Sequence, residues 1–260
     1  MSDETETEID ASRAPLLDHL IELRRRLLWS VVAIVITFCA SLYFARPILG
    51  FLVAPLKIAG QTKIINTEIF GGFLVEVKVA FFAALMLSFP VIANQLWQFV
   101  APGLYRKEKR ALLPFLLATP LLFIAGASMA YYIAVPMALK FLLGFQGNLG
   151  GVTQEALPDV NNYLKFMMQF VFGFGVSFLL PVVLMLLERA GIVTRKQLIN
   201  ARRYAIVAAF AIAAVLTPPD IGSQLLLAIP LCLLYELALI GIWFTERKRA
   251  KAAAEAPEGV

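Results

Sequence analysis

Residues 111–139 read ALLPFLLATPLLFIAGASMAYYIAVPMAL and carry no charge. As one helix this stretch would extend about 43 Å, well beyond the roughly 30 Å hydrocarbon core of a bilayer. It must therefore tilt, bend or protrude. Pro114, Pro120 and Pro136 supply places to bend, which membrane helices tolerate when neighbours satisfy the freed backbone groups. Such a run decides the fold class: an all-α polytopic membrane protein.

Moving outward toward the amino terminus, residues 97–110, WQFVAPGLYRKEKR, set Arg106, Lys107, Lys109 and Arg110 around a single acid, Glu108. A carboxylate there can accept two parallel hydrogen bonds from a guanidinium, which an ammonium cannot match in geometry. Equally, it can simply neutralise its basic neighbours, as exposed ion pairs do at a worth of about 0 to 1 kcal/mol. The run before it, residues 79–100, is an uncharged second span with Pro90 as an expected kink. The first span, residues 27–44, follows an interfacial helix, PLLDHLIELRRR at 15–26, whose leucines recur at helical spacing behind Pro15. Its polar side places Glu22 four residues before Arg26, the spacing of an intrahelical ion pair. Between spans one and two, Gly50, Pro55, Gly60 and Gly71-Gly72 predict short ordered pieces in place of another uninterrupted span.

Toward the carboxyl terminus, a glycine-rich loop at 140–165 leads to a fourth span at 166–187, where Gly173, Gly175 and Ser177 permit close helix approach. Residues 204–216 form a fifth run of only about 20 Å, roughly 10 Å short of a normal core, which should thin the bilayer locally. Thr217-Pro218-Pro219-Asp220 turns the chain into a sixth segment at 221–244, broken by Pro230, interrupted by Glu236 and also expected to be short. Asp220 has the position of an N-cap, with Gln224 in the first turn.

The organisation expected is six transmembrane helices in one membrane domain, residues 15–245, between a disordered acidic tail at 1–14 and a basic tail at 246–260. Basic residues at 24–26, 106–110, 195–203 and 247–251 fall on one face, whereas the opposite loops mix charges, so both termini are expected to be cytoplasmic. This puts Glu22 and Glu108 on the cytoplasmic face and Asp220 on the far one. No cleaved targeting segment is expected, since the start is acidic where a signal would be basic and then apolar.

Composition agrees: 60% apolar residues, 16% charged, and a mean hydropathy of +0.79 lie outside soluble domains. The formal charge of +5 sits beside apolar segments, which fits anionic membrane lipids and not nucleic acid. Cys39 and Cys232 lie in apolar runs and form no metal or disulfide pattern. The reagents of metal, serine or nucleotide hydrolysis are missing: there is no H-E-x-x-H, G-x-S-x-G or Walker motif, and the single histidine, His19, sits in the interfacial helix. Neither an enzyme nor a cofactor is expected. Glu236 is the clearest acid inside a span, a functional candidate by position, or else a carboxylate reaching interfacial water or Arg247. A small-molecule or ion transporter using Glu236 and Glu108 is the alternative from another class, weakened by the lack of an internal repeat.

Three motifs in order, FVAPGLYRKE at 99–108, HLIELR at 19–24 and TPPD at 217–220, resemble the TatC family, the receptor subunit of the twin-arginine protein translocase. The resemblance implies a receptor for twin-arginine signal peptides of folded cargo, exported at the expense of the protonmotive force. It implies a cytoplasmic peptide site formed by Glu22, Arg24, Phe99 and Glu108, shaped by Leu104 and Tyr105, with Glu108 and Glu22 receiving the two arginines. It further implies that Pro55 and Asp220 matter on the far side, and that the single-span TatB and TatA subunits dock on helices five and six, beside other TatC copies. One departure stands out: many family members have a glutamate or glutamine two residues before the fourth-helix proline, where this chain has Leu179 ahead of Pro181. Gln169, Ser177 and Glu236 remain as polar candidates facing the bundle.

Overall fold

The computed structural model describes the backbone of residues 3–61, 63–104, 109–149, 152–154, 157–217 and 221–255, and side chains within 20–61, 63–99, 115–146, 157–217 and 221–247. Helix α1 (Asp3–Tyr43) is followed by α2 (Ala45–Ile58), α3 (Gly71–Leu104) and α4 (Lys109–Met129). A π-helical turn (Ala130–Ala134) joins α4 to α5 (Val135–Leu143), and a hairpin of β1 (Gly147–Leu149) and β2 (Val152–Gln154) follows. The chain ends with α6 (Val160–Ser177), α7 (Leu180–Arg189), α8 (Arg195–Asn200), α9 (Arg202–Leu216) and α10 (Ile221–Glu255).

Five of these stretches are long and apolar enough to cross a membrane: Leu20–Tyr43, Gly71–Phe99, Phe115–Leu143, Val160–Arg189 and Ile221–Arg247. The fifth expected span, α9, has 15 residues and is about 22 Å long, as short as its sequence demands. The sixth is not short. Helix α10 runs 35 residues through Pro230 and on into the basic tail, because RAKAAAE at 249–255 is rich in strong helix formers and needs no apolar partner to stay helical. The acidic start, expected to be disordered, is likewise helical from Asp3 and continuous with the first span.

Two boundaries differ from expectation for identifiable reasons. The fourth span begins at Val160 because Asp159 caps it, accepting hydrogen bonds from the N–H groups of Asn161 (2.9 Å) and Asn162 (3.2 Å). It is also broken at residues 178–179, since Pro181 cannot donate a backbone hydrogen bond and starts α7 afresh. Pro136 has the same effect in span three, where the π turn precedes it and absorbs the clash.

Pro55 lies inside α2, so the carbonyl of Phe51 has no N–H four residues on. The hydroxyl of Tyr131 donates to that carbonyl at 2.7 Å, with the Tyr131 ring stacked on Phe51 at 4.3 Å. The buried Tyr163 donates to the next carbonyl, that of Leu52, at 2.6 Å. Helix α2 is thus tied to spans three and four by two hydroxyls at the position where proline opens it.

Small residues set the helix spacing. A Cβ on Gly126 of α4 would lie 2.6 Å from the Phe174 carbonyl oxygen, and one on Gly175 of α6 would lie 2.7 Å from the Phe123 ring. Ala209 and Ala213 make the buried stripe of α9. The core, around Phe123, Met167, Phe170 and Phe174, fills the space where spans two, three and four meet. Much of the outer surface is apolar, Ile36, Val207 and Val215 among it, as expected of a chain solvated by lipid.

Candidate functional site

At the end of the bundle where α1 meets the last turns of α3, polar side chains gather around a cavity of about 280 Å³ lined by Glu22, Arg25, Arg26, Trp29, Gln95 and Gln98. Helix α1 supplies the charges because Glu22 and Arg26 are one turn apart on the face turned to α3. Arg26 donates to Glu22 Oε1 through both Nε, at 3.1 Å, and Nη2. Its Nη1 crosses to α3 and donates to Gln98 Oε1 at 2.7 Å, while Gln98 Nε2 donates to Asn94 Oδ1 at 3.0 Å. The guanidinium is mostly buried, its side chain 18% exposed against 35% for Glu22. A carboxylate is therefore presented at a cavity mouth in a setting that already accommodates a planar guanidinium. The same turns of α3 are tied to α4 by Trp97, whose indole N–H donates to Thr119 Oγ1 at 2.8 Å, and Thr119 in turn donates to the Phe115 carbonyl.

On the opposite end, the first and second loops are clasped together. The Val160 N–H donates to the Ile65 carbonyl at 2.9 Å, and Asp159 Oδ2 accepts from the Thr67 hydroxyl at 2.8 Å and the Thr67 N–H at 3.2 Å. The Thr67 hydroxyl, opposed by some desolvation and helped by the N–H groups of Asn162, Thr67 and Asn161, holds the Asp159 carboxyl below its ordinary value. Near the same end, Gln224 Nε2 donates to the Phe210 carbonyl at 3.2 Å and so ties α10 to α9. Glu236, in contrast, forms an ion pair with Arg202 at 2.7 Å at the start of α9. Arg247, the base its sequence position suggested, instead lies 5.4 Å over the Trp243 ring.

Comparison with known proteins decides the family. The family profile described as Sec-independent protein translocase protein (TatC) matches residues 18–230. The Sec-independent protein translocase protein TatC of Magnetococcus marinus is 48% identical over 244 residues, covering 93% of this chain and 89% of its own length. The chain belongs to the TatC family. The TatC of Escherichia coli strain K12 is 40% identical over 233 residues, covering 89% of this chain and 88% of its own. A crystal structure of the twin-arginine translocase receptor TatC shares 39% identity and a TM-score of 0.74, covering 85% of this chain and 96% of that one. The same receptor solved in the detergent DDM gives a TM-score of 0.76, covering 85% of this chain and 98% of that one. This protein is accordingly a multi-pass membrane component of a Sec-independent, twin-arginine protein translocase.

Of the residues that the TatC resemblance singles out, Glu22 lines the cavity and Phe99 lies half-buried one residue beyond Gln98. Arg24 is exposed and does not line the cavity; two positions from Glu22, it faces away around the helix. Leu104 closes α3, with its side chain outside the described residues, and Tyr105, Glu108 and Asp220 lie outside them altogether. Pro55 is buried at the α2 opening described above. Glu236 does not face the bundle as a buried acid: its side chain is 46% exposed and paired with Arg202. Sequence reasoning does not single out Gln95 and Gln98 of α3 or Trp29 of α1: the two glutamines stand one turn apart, but their place opposite Glu22 and Trp29 appears only once α1 and α3 pack.

Proposed function

We propose that this chain is the signal-peptide receptor and scaffold of the twin-arginine translocase, with both termini in the cytoplasm. The observation that carries the reading is the cavity at the α1–α3 end, where Glu22 holds the Arg26 guanidinium in the polar geometry that a peptide arginine requires. Glu22 and Glu108 receive the two peptide arginines, Phe99, Leu104 and Tyr105 shape the approach, and Arg24 completes the cytoplasmic face. Single-span TatB and TatA subunits dock on α9 and α10, other TatC copies and membrane lipids are further partners, and Pro55, Asp220 and Gln224 organise the far side. The chain performs no catalysis; energy for moving the folded cargo comes from the protonmotive force.

The test is binding of two signal peptides that differ only in Arg-Arg against Lys-Lys, to membranes carrying the chain or its Glu22→Gln or Glu108→Gln variant. The arginine peptide is expected to bind more tightly, with most of that preference lost in each variant. Equal binding of both peptides to the unaltered chain, or an undiminished preference in both variants, refutes the assignment.

A further inference from the structure

The connection between spans four and five folds back onto the outer face of α10 and leaves a second groove, of about 330 Å³. Its polar wall is Arg195, the first residue of α8, and Arg202, the first of α9. Its other wall is Leu239, Ile240, Trp243 and Phe244 of α10, of which Ile240 and Phe244 are 50% and 60% exposed toward the surrounding membrane. Glu236 also lines the groove and accepts from Arg202, fixing that guanidinium in place. Arg195 is different: its Nε is buried and has no hydrogen-bond partner among the described residues. Unlike Arg202, Arg195 has no carboxylate partner among the described residues, so it is the guanidinium lining the groove that is left to pair with an anion from outside.

Three features define the acceptor's chemistry. Two arginines against one glutamate, with Arg247 over the ring of the lining residue Trp243, favour an anion. The apolar wall leads directly from the arginines to the lipid-facing side of α10, so the anion must carry a hydrocarbon chain. Trp243 sits between the two, the depth at which indole rings mark the boundary of headgroup and acyl chain. We propose that this groove binds one anionic phospholipid, its phosphodiester against Arg195 and Arg202 and an acyl chain along Ile240 and Phe244. Basic pockets at helix junctions on the headgroup side of a membrane are suited to such lipids. The site is separate from the α1–α3 cavity and stands independently of the peptide-receptor reading.

The experiment is native mass spectrometry of the purified full chain, titrated in parallel with phosphatidylglycerol, phosphatidylcholine and inorganic phosphate. One phosphatidylglycerol is expected to be retained in preference to phosphatidylcholine. Arg195→Gln and, separately, Arg202→Gln are each expected to lower its occupancy about fivefold, the worth of one basic residue near an anionic lipid surface. Arg203→Gln, whose guanidinium lies over Tyr204 and does not line the groove, should leave occupancy largely unchanged. A melting curve in phosphatidylcholine establishes that each variant is folded, and Arg202→Gln decides the matter if Arg195→Gln is not. Unchanged retention in the folded variants, no preference over phosphatidylcholine, or inorganic phosphate binding as well as the lipid would each overturn the proposal.

Discussion

Replacing Tyr131 by phenylalanine removes one oxygen and leaves the ring stack on Phe51 in place. In an ordinary helix the Phe51 carbonyl would accept from the residue at position 55, but Pro55 has no N–H, and the Tyr131 hydroxyl at 2.7 Å takes that role. An unsatisfied acceptor costs about 1 to 3 kcal/mol; with Phe51 itself partly exposed, about 1 to 2 kcal/mol is expected for Tyr131→Phe. The argument makes a sharper demand through Pro55→Ala, which returns an N–H to the Phe51 carbonyl. In that background the loss of the hydroxyl should cost less than about 1 kcal/mol, so the two substitutions couple in a double-mutant cycle. Reversible unfolding of the chain by a denaturing detergent, read by helical circular dichroism for the four proteins, measures this directly. An equal cost of Tyr131→Phe with and without Pro55 would show that the hydroxyl is not replacing the proline's missing donor.

Gly126→Ala puts a methyl group 2.6 Å from the Phe174 carbonyl, a backbone atom that cannot rotate away, and is expected to destabilise by about 1 to 3 kcal/mol in the same assay. The Asp159 clasp should respond to acid. Because the folded carboxyl lies below its ordinary value, its contribution is complete above the unfolded value of about 3.9 and is lost as pH falls through the lowered folded one. Hydrogen exchange at the Thr67 and Asn161 amides should accelerate in that acid window in the unaltered chain and show no such step in Asp159→Asn. Glu236→Gln, at a half-exposed ion pair, should shift stability by no more than about 1 kcal/mol; a larger loss would restore Glu236 to the buried role that its sequence position suggested.

Much of this architecture is legible in the chain because lipid imposes a simple rule: uncharged runs of sufficient length become spans, and their lengths set their geometry. The short α9 and the interrupted first loop follow from charge spacing and from Pro55 and the loop glycines. What escaped is mostly a matter of partners far away in sequence. Arg26 reaches Gln98 and Glu236 reaches Arg202 only because particular helices lie side by side, and no local pattern specifies which. The cap at Asp159 did carry a signal, an acid directly before a helical pattern, but the nearby Lys165 drew the boundary too late. Helix α10 outruns its apolar stretch for a related reason: a helix leaving the membrane is limited by propensity and not by hydrophobicity, so charged, alanine-rich residues prolong it. Glu108, Tyr105 and Asp220 remain sequence-based assignments.

The brevity of α9 has an electrical consequence. The free energy of carrying an ion across a membrane depends on the depth of low-permittivity material it must traverse, and local deformation with water entry lowers it steeply. A bilayer matched to a helix about 22 Å long would be some 8 Å thinner than the usual core of roughly 30 Å. If the bilayer thins to match α9, the edge of the bundle it forms is where the insulating layer would be weakest, and where a hydrated, charged polypeptide surface would meet a lowered barrier.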